Sequence, residues 1–138
     1  MFDWQNYLVL AQSLGAVNDE ASQRTALSRA YYAVYHVAFE RVLAVGHRIP
    51  ADEKVSTHKW CWDIYRNAVD AGCKQLGLDG DRLKGKRVKA DYYAEDIKKL
   101  YETVLETLDE AARIRAAILA LGPGLPPVPP APPQQKSA

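Results

Sequence analysis

An arginine and a histidine on one predicted helix could together do chemistry on a phosphate group. Arg29 and His36 are seven positions apart, so on an α-helix they point within about 20° of each other. A histidine titrates near neutral pH and can transfer a proton. An arginine stays charged and can hold phosphate oxygens through parallel N–H donors. Tyr32 and Glu40 lie on the same side of the helix, which gives it one narrow polar line.

The rest of this helix is apolar, so the polar line must lie inside the protein or at an interface. The other directions are filled by Leu27, Ala30, Tyr31, Val34, Val37, Ala38, Phe39 and Val42. A helix that is apolar nearly all round is expected to be a buried central element. Because charged groups are rarely buried without a partner, two alternatives stay open. In the first, Arg29 pairs with a carboxylate and His36 with a core carbonyl. In the second, the polar line borders a functional cleft or a dimer interface.

A second candidate feature is a cationic run near residue 85. Five lysines and arginines fall within residues 82–89: Arg82, Lys84, Lys86, Arg87 and Lys89. Such a run predicts a surface that follows an RNA backbone, and a solvated surface face is the alternative because aspartates flank it. Asp91 is expected to pair with Arg87 one helical turn away, or with Arg29 of the second helix.

Weaker candidates lie on the predicted third helix: His58, Trp60, Cys61, Trp62 and Tyr65. His58 and Cys61 are spaced for one helix face, but two ligands do not make a zinc site. Trp62 and Tyr65 are expected to be core or interface anchors. His47 has no evident partner. Because no phosphate-binding glycine loop or metallohydrolase motif occurs either, the sequence predicts neither a metal nor a cofactor.

Proline and glycine divide the chain into five predicted helices. Seven of the eight prolines lie at or after position 123, and the other is Pro50, so the preceding segments are free to be helical. Apolar periodicity and end signals predict helices over Asp3–Leu14, Asp19–Val45, Asp52–Ala71, Asp81–Tyr92 and Glu95–Leu121. The predicted fold is all-α, an up-and-down bundle of four long helices plus a short one, in a single domain over residues 1–121. Residues 122–138 are predicted to be a proline-rich disordered tail.

Composition narrows the class of protein. With 48% hydrophobic and 25% charged residues, the chain is typical of a globular domain, and its longest apolar stretch is too short for a bilayer span. On one helix, Cys61 and Cys73 would be roughly 18 Å apart, too far to form a disulfide. A reducing compartment, by default the cytoplasm, is therefore expected. The net charge of +1 means that nucleic-acid binding would need a local patch.

Two motifs resemble those of the HEPN superfamily. The run from Ser28 to Ala38, SRAYYAVYHVA, resembles the S-x-A-Y-Y-A-x-x-H-A-A signature of a subfamily of small bacterial and archaeal HEPN proteins. Downstream, RVKADY at residues 87–92 resembles the second signature of that subfamily, an arginine followed by A-D-Y. Between them, His58-Lys59-Trp60 resembles the histidine-led start of its middle helix. The order and spacing match, and the resemblance covers about residues 3–121.

The resemblance implies a bundle of four or five helices that forms a homodimer and acts on RNA or nucleotides. Many HEPN proteins are metal-independent ribonucleases of toxin–antitoxin, CRISPR-linked and phage-defence systems. Others are non-cutting partners of nucleotidyltransferases. The ribonucleases typically carry an arginine, four to six residues and a histidine on a late helix, but here the fifth residue after Arg87 is Tyr92. The pair with family-like spacing is Arg29 and His36.

The expected catalytic residues are therefore Arg29 and His36. The expected supporting or substrate-binding residues are Tyr32, Glu40, Arg87, Asp91 and Tyr92. The predicted function is a metal-independent ribonuclease or RNA-binding component of a defence or toxin–antitoxin system. The alternative is a non-catalytic partner of a nucleotidyltransferase or nuclease, in which Arg29 and His36 form a structural polar network.

Overall fold

A computed structural model describes residues 1–130 and contains five α-helices and no strand over that range. The helices are α1 (Gln5–Gly15), α2 (Glu20–Val45), α3 (Thr57–Arg66), α4 (Ala71–Tyr92) and α5 (Leu100–Leu119). The predicted all-α bundle of five helices is confirmed. Three helices are long and two are short, rather than four long and one short. No helix within residues 1–130 is long and apolar enough to cross a lipid bilayer.

The central element is α2, as its apolar circumference predicts. It contacts all four other helices, and most extensively α1 and α5. Small side chains let these neighbours approach it closely, and Ala26, Ala30, Ala33 and Ala38 are fully buried. The Asp19 carboxylate accepts a hydrogen bond of 2.8 Å from Ser22 N–H at the start of the helix, and Gly46 ends it with a φ of 120°. These two end signals explain why the predicted bounds of α2 hold.

The predicted division between α3 and α4 is wrong. The predicted third helix, Asp52–Ala71, ends just before Gly72, but Gly72 lies in the first turn of α4. The carboxylate of Asp70 accepts a hydrogen bond of 2.9 Å from Cys73 N–H and so begins α4 there. The third helix begins only at Thr57, where Ser56 is the N-cap. Cys61 and Cys73 therefore lie on different helices, and both are buried free thiols.

The predicted start of α5 at Glu95 is also wrong, because an arginine of α2 holds the preceding segment out of helical geometry. The Arg24 guanidinium donates to the carbonyls of Tyr93 at 2.5 Å and Glu95 at 2.7 Å. The chain then turns through Lys99, whose φ is 52°, and α5 begins at Leu100. At the other end of the chain, α1 starts two residues later than predicted, with the Asp3 carboxylate bonded to Gln5 N–H.

The first part of the proline-rich tail packs on α2, contrary to the predicted disorder from residue 122 onward. Arg41 donates to the carbonyls of Leu121 and Leu125 at 2.9 Å each, and also to that of Gly122. His47 Nε2 lies 2.9 Å from the carbonyl of Pro126, which is buried. A proline-rich segment cannot satisfy its own carbonyls in a helix, so these donors hold it on the end of α2. Residues 131–138 of the predicted tail lie outside the described residues.

Candidate functional site

The polar line of α2 meets polar side chains from two other helices around the half-buried ring of Tyr32. The guanidinium carbons of Arg29 and Arg87 lie 5.8 and 5.5 Å from the centre of this ring. The imidazole centres of His36 and His58 both lie 6.0 Å from it. Two arginines and two histidines thus surround one tyrosine, and we call these five residues the Tyr32 site. The helices α2, α3 and α4 all contribute to it.

Arg29 lies against aromatic rings rather than against a carboxylate. Its guanidinium carbon is 4.9 Å from the centre of the Tyr7 ring of α1, a cation–π contact worth about 0.5–2 kcal/mol. Among residues 1–130 no carboxylate lies within ion-pair distance of Arg29, and Asp91 pairs with Arg87 instead. A cation that contacts only ring faces keeps its N–H groups available, so the guanidinium can bind an anionic ligand.

His36 is covered by the aromatic residues at the start of the chain. The Trp4 ring stacks on the imidazole with centres 3.4 Å apart and an angle of 8° between the planes. Trp4 in turn packs edge-on against Phe2 and Tyr7. Burial lowers the pKa of His36 below its usual value of 6.5, because the charged imidazolium is poorly solvated there. His36 is therefore neutral at pH 7 and able to accept a proton.

His58 is held by a chain of hydrogen bonds from the core. The Trp62 indole N–H donates to the Tyr31 hydroxyl oxygen at 3.1 Å, and this hydroxyl lies 2.6 Å from His58 Nδ1. The imidazole stacks on the Tyr35 ring with centres 4.0 Å apart. Burial, then the positive charges of Arg87 and Lys84, and last the charge of His36 when it is protonated, lower the pKa of His58 to about 4. Sequence reasoning left His58 among the weaker candidates, although the motif His58-Lys59-Trp60 contained the signal.

Arg87 is the most buried cation of the site, with 9% of its surface exposed. Its guanidinium carbon lies between 5.5 and 5.9 Å from the ring centres of Tyr31, Tyr32 and Tyr92. The expected pairing with Asp91 is present, with 3.6 Å between Arg87 Nη1 and Asp91 Oδ2. Ser28 donates to the same carboxylate oxygen at 3.1 Å. Arg87 Nε is buried and has no hydrogen-bond partner among residues 1–130.

The predicted RNA-binding run 82–89 does not form one cationic face. Arg82 and Lys86 turn toward α5, where both pair with Glu110, and burial lowers the pKa of Lys86. Lys84 and Lys89 make no ion pair among residues 1–130. Lys84 lies near enough to His58 to lower its pKa. The run is thus partly neutralised, and only Arg87 reaches the Tyr32 site.

The other candidate residues lie around or away from this site. Glu40 is exposed, and the Tyr92 ring borders Arg87 while 72% of its surface is exposed. Trp60 contacts Phe39 with ring centres 6.3 Å apart. Tyr65 is a core residue, as expected, and Cys61 is also buried in the core. Burial raises the pKa of the Cys61 thiol to about 12. Within residues 1–130, no group of three histidine, cysteine, aspartate or glutamate side chains is placed to hold a metal ion.

Comparisons with known proteins give no match from which a family could be assigned. No protein-family model, no curated protein and no solved structure matches this chain. The resemblance to HEPN proteins therefore depends on the sequence motifs. Each of these motifs contributes to the Tyr32 site: the first through Arg29, Tyr32 and His36, the middle one through His58, and the last through Arg87.

Proposed function

We propose that the chain is a HEPN-type protein of a prokaryotic defence or toxin–antitoxin system, and that it cuts RNA without a metal ion at the Tyr32 site. One observation carries this proposal: two permanent positive charges and two histidines with lowered pKa values lie around a single half-buried tyrosine ring. This combination supplies the two requirements of phosphodiester cleavage, proton transfer and stabilisation of negative charge.

The reaction is attack of a ribose 2′-hydroxyl on the adjacent phosphorus. The base removes the proton of the 2′-hydroxyl, the bond from O2′ to phosphorus forms, and the bond from phosphorus to O5′ breaks. An acid gives a proton to O5′, which leaves a 2′,3′-cyclic phosphate and a 5′-hydroxyl end. Neutral His36 is suited to be the base, and the charge of Arg29 stabilises the phosphorane oxygens.

The acid comes from a second copy of the chain in this proposal. At a two-fold seam, the neutral His36 of one copy would be the base and the protonated His36 of the partner subunit the acid, because a symmetric interface presents the same residue twice. The seam would use the side of α2 that carries Arg29 and Glu40. Homodimer formation is thus part of the proposed mechanism, and gel filtration with light scattering would measure it.

The test is cleavage of single-stranded and transfer RNA by the purified full chain in EDTA. The wild type is expected to cut, and the His36→Ala variant is expected to lose about 10²–10⁴-fold in rate, the usual contribution of a general acid–base group. His47→Ala is the matched control, because His47 contacts the Pro126 carbonyl at a distance from the site. Undiminished cutting by His36→Ala would remove His36 from the mechanism.

A non-catalytic role is the second candidate, and the stacking of Trp4 on His36 favours it. A ring 3.4 Å away covers one face of the imidazole, which is typical of a histidine that packs in an aromatic cluster rather than one that contacts a substrate. In that case the chain binds a nucleotidyltransferase or nuclease and cuts no RNA. Trp4→Ala separates the two roles, since uncovering His36 should increase or preserve cutting by a nuclease, whereas in a binding module the variant only lowers stability.

A further inference from the structure

The hydrogen bonds from Trp62 to Tyr31 and on to His58 determine where the neutral imidazole carries its proton. The indole N–H of Trp62 is only a donor, so the Tyr31 oxygen accepts at that contact. Tyr31 is fully buried, and among residues 1–130 the only acceptor within reach of its hydroxyl hydrogen is His58 Nδ1, 2.6 Å away, so a buried donor stays unpaired unless it points there. Nδ1 accepts this hydrogen bond and carries no proton. A neutral His58 must therefore carry its proton on Nε2.

The Nε2 atom is the open end of this chain of hydrogen bonds. Nε2 makes no hydrogen bond with residues 1–130. It is also not fully buried, so solvent or a ligand can reach it. The Tyr35 ring stacks on the imidazole at 4.0 Å, and the Tyr32 ring meets it edge-on. These contacts fix the plane of the ring and therefore the direction of the Nε2–H group.

We propose that His58 is a fixed hydrogen-bond donor that binds a non-bridging phosphoryl oxygen of RNA through Nε2–H, with Tyr31 and Trp62 as positioning residues. The choice of ligand depends on the proposed function, whereas the orientation of the donor depends only on the hydrogen bonds. An oxyanion is the matching ligand because an N–H donor beside a positive charge stabilises negative oxygen. Arg87 supplies that charge, because its guanidinium carbon lies 5.5 Å from the centre of the Tyr32 ring, which the His58 imidazole meets edge-on with ring centres 6.0 Å apart.

The charged groups that face His58 keep it neutral over the working pH range. Burial disfavours the imidazolium most, followed by the charges of Arg87 and Lys84 of α4 and by His36 of α2 when it is protonated, and Asp91 is engaged by Arg87. With a pKa of about 4, His58 does not titrate between pH 5 and 8. It is thus a constant donor rather than the acid or base of the reaction, and that role falls to His36.

The tautomer can be tested without any activity measurement. In long-range ¹H–¹⁵N spectra at pH 7, we expect His58 Nε2 to have the shift of a protonated nitrogen and Nδ1 that of an unprotonated one. Tyr31→Phe removes the donor to Nδ1 and should give a mixture of tautomers. Tyr35→Phe is the matched control, because it keeps the stacked ring and should leave the tautomer unchanged. A protonated Nδ1 in the wild type, or no effect of Tyr31→Phe, would overturn the proposed positioning.

The donor role is tested with single-stranded RNA whose riboses are 2′-O-methylated, which binds but cannot be attacked by its own 2′-hydroxyl. Adding this RNA should shift the Nε2–H and ring signals of His58. On ordinary RNA, His58→Ala should lower kcat by about 100-fold, as loss of one oxyanion donor does. His58→Gln keeps an N–H donor and should lose no more than about tenfold. The control His47→Gln should change neither kcat nor the His58 signals.

The outcomes separate this inference from the proposed function. If the methylated RNA shifts His58 but the wild type cuts no RNA, the phosphate-binding role stands and the ribonuclease proposal fails. If the wild type cuts RNA while His58→Ala is fully active and no His58 signal moves, the ribonuclease proposal stands and the donor role fails. Equal losses in His58→Ala and His58→Gln would also overturn the donor role, since the glutamine N–H should replace that of imidazole.

Discussion

The contact between α3 and α4 requires a glycine at position 80, and an alanine there should displace the Trp62 ring. A Cβ added to Gly80 would lie under 3.0 Å from three atoms of this ring. Trp62 is fully buried, so its ring has no free space to move into. Because the same indole donates to Tyr31, the displacement should reach the chain of hydrogen bonds that orients His58.

The size of the effect follows from comparing Gly80→Ala with Gly85→Ala. Both glycines lie inside α4, and both variants gain about 0.8–1.0 kcal/mol of helix propensity. A Cβ at Gly85 meets no atom within 4 Å, so this variant should be more stable than the wild type by about that amount. Forcing a methyl group into a packed core costs typically about 1–3 kcal/mol. The difference between the two variants isolates the clash, and we expect about 3 kcal/mol because the obstruction is a rigid ring.

Urea unfolding followed by tryptophan fluorescence and by circular dichroism measures this difference. The ¹⁵N shifts of His58 in the same two variants show whether the indole has moved away from Tyr31. Gly80→Ala should give mixed tautomers and Gly85→Ala the wild-type pattern. If both variants changed stability by the same amount, the close approach of α4 to Trp62 would be refuted, and with it the argument for why α4 has a glycine there.

Three further predictions concern the two arginine clamps and the pH dependence. Arg24→Ala should lower the free energy of unfolding by about 2–3 kcal/mol, since the charged hydrogen bonds of Arg24 to the carbonyls at and after the end of α4 are lost. Urea unfolding measures this free energy, and Arg24→Lys should not restore the lost stability. Arg41→Ala should release residues 121–126, which hydrogen exchange would show as faster exchange of the amides in that segment. The free energy of global unfolding should fall by no more than about 1–2 kcal/mol. Unchanged exchange would mean that Arg41 does not hold the segment. The pKa of His58 is about 4 when folded and 6.5 by default, so its contribution to stability is complete above pH 6.5 and is lost as the pH falls toward 4. After allowance for the partial exposure of His58, the stability lost on its protonation is roughly 1–2 kcal/mol. The His58→Gln variant should therefore lose less stability than the wild type between pH 7 and 4.5.

Local signals predicted α2 well because both of its ends are determined by the residues that directly flank it. Asp19 caps its first turn and Gly46 takes the positive φ that ends it. The boundary between α3 and α4 was not predictable in the same way. A glycine such as Gly72 is typical of a helix end, but Asp70 two positions earlier is a cap that starts a helix. The close approach of α3 explains Gly77 and Gly80 of that helix, and no contact within 4 Å explains Gly85.

The start of α5 shows a tertiary contact overriding local pattern. The residues from Glu95 onward have helical periodicity, yet the Arg24 guanidinium binds the carbonyls of Tyr93 and Glu95, and a helix starting at Glu95 would have used the second of these. That arginine is sixty-nine positions away in sequence from the first of them. No local rule could have identified this pairing, whereas the hydrogen bonds account for it directly.

The Tyr32 site was half predictable for the same reason. Arg29, Tyr32 and His36 share one side of a helix, so their spacing alone brought them together. His58 joins them through Tyr31, which the sequence indicated only as a core residue. A buried tyrosine whose hydroxyl joins two helices is indistinguishable in sequence from one that only fills space, so the second histidine had to come from the fold.

The two histidines of the Tyr32 site differ in what controls their charge, and this difference fits the division of work that we propose. His36 has its pKa lowered by burial alone, and Trp4 of the N-terminal aromatic cluster covers it. A ligand that displaced Trp4 would restore solvent to His36 and raise its pKa toward neutrality, where an acid–base group works best. His58 is kept neutral by fixed charges as well as by burial, so the same displacement would leave it a donor. A site with one adjustable histidine and one constant histidine can move a proton while holding a phosphate still.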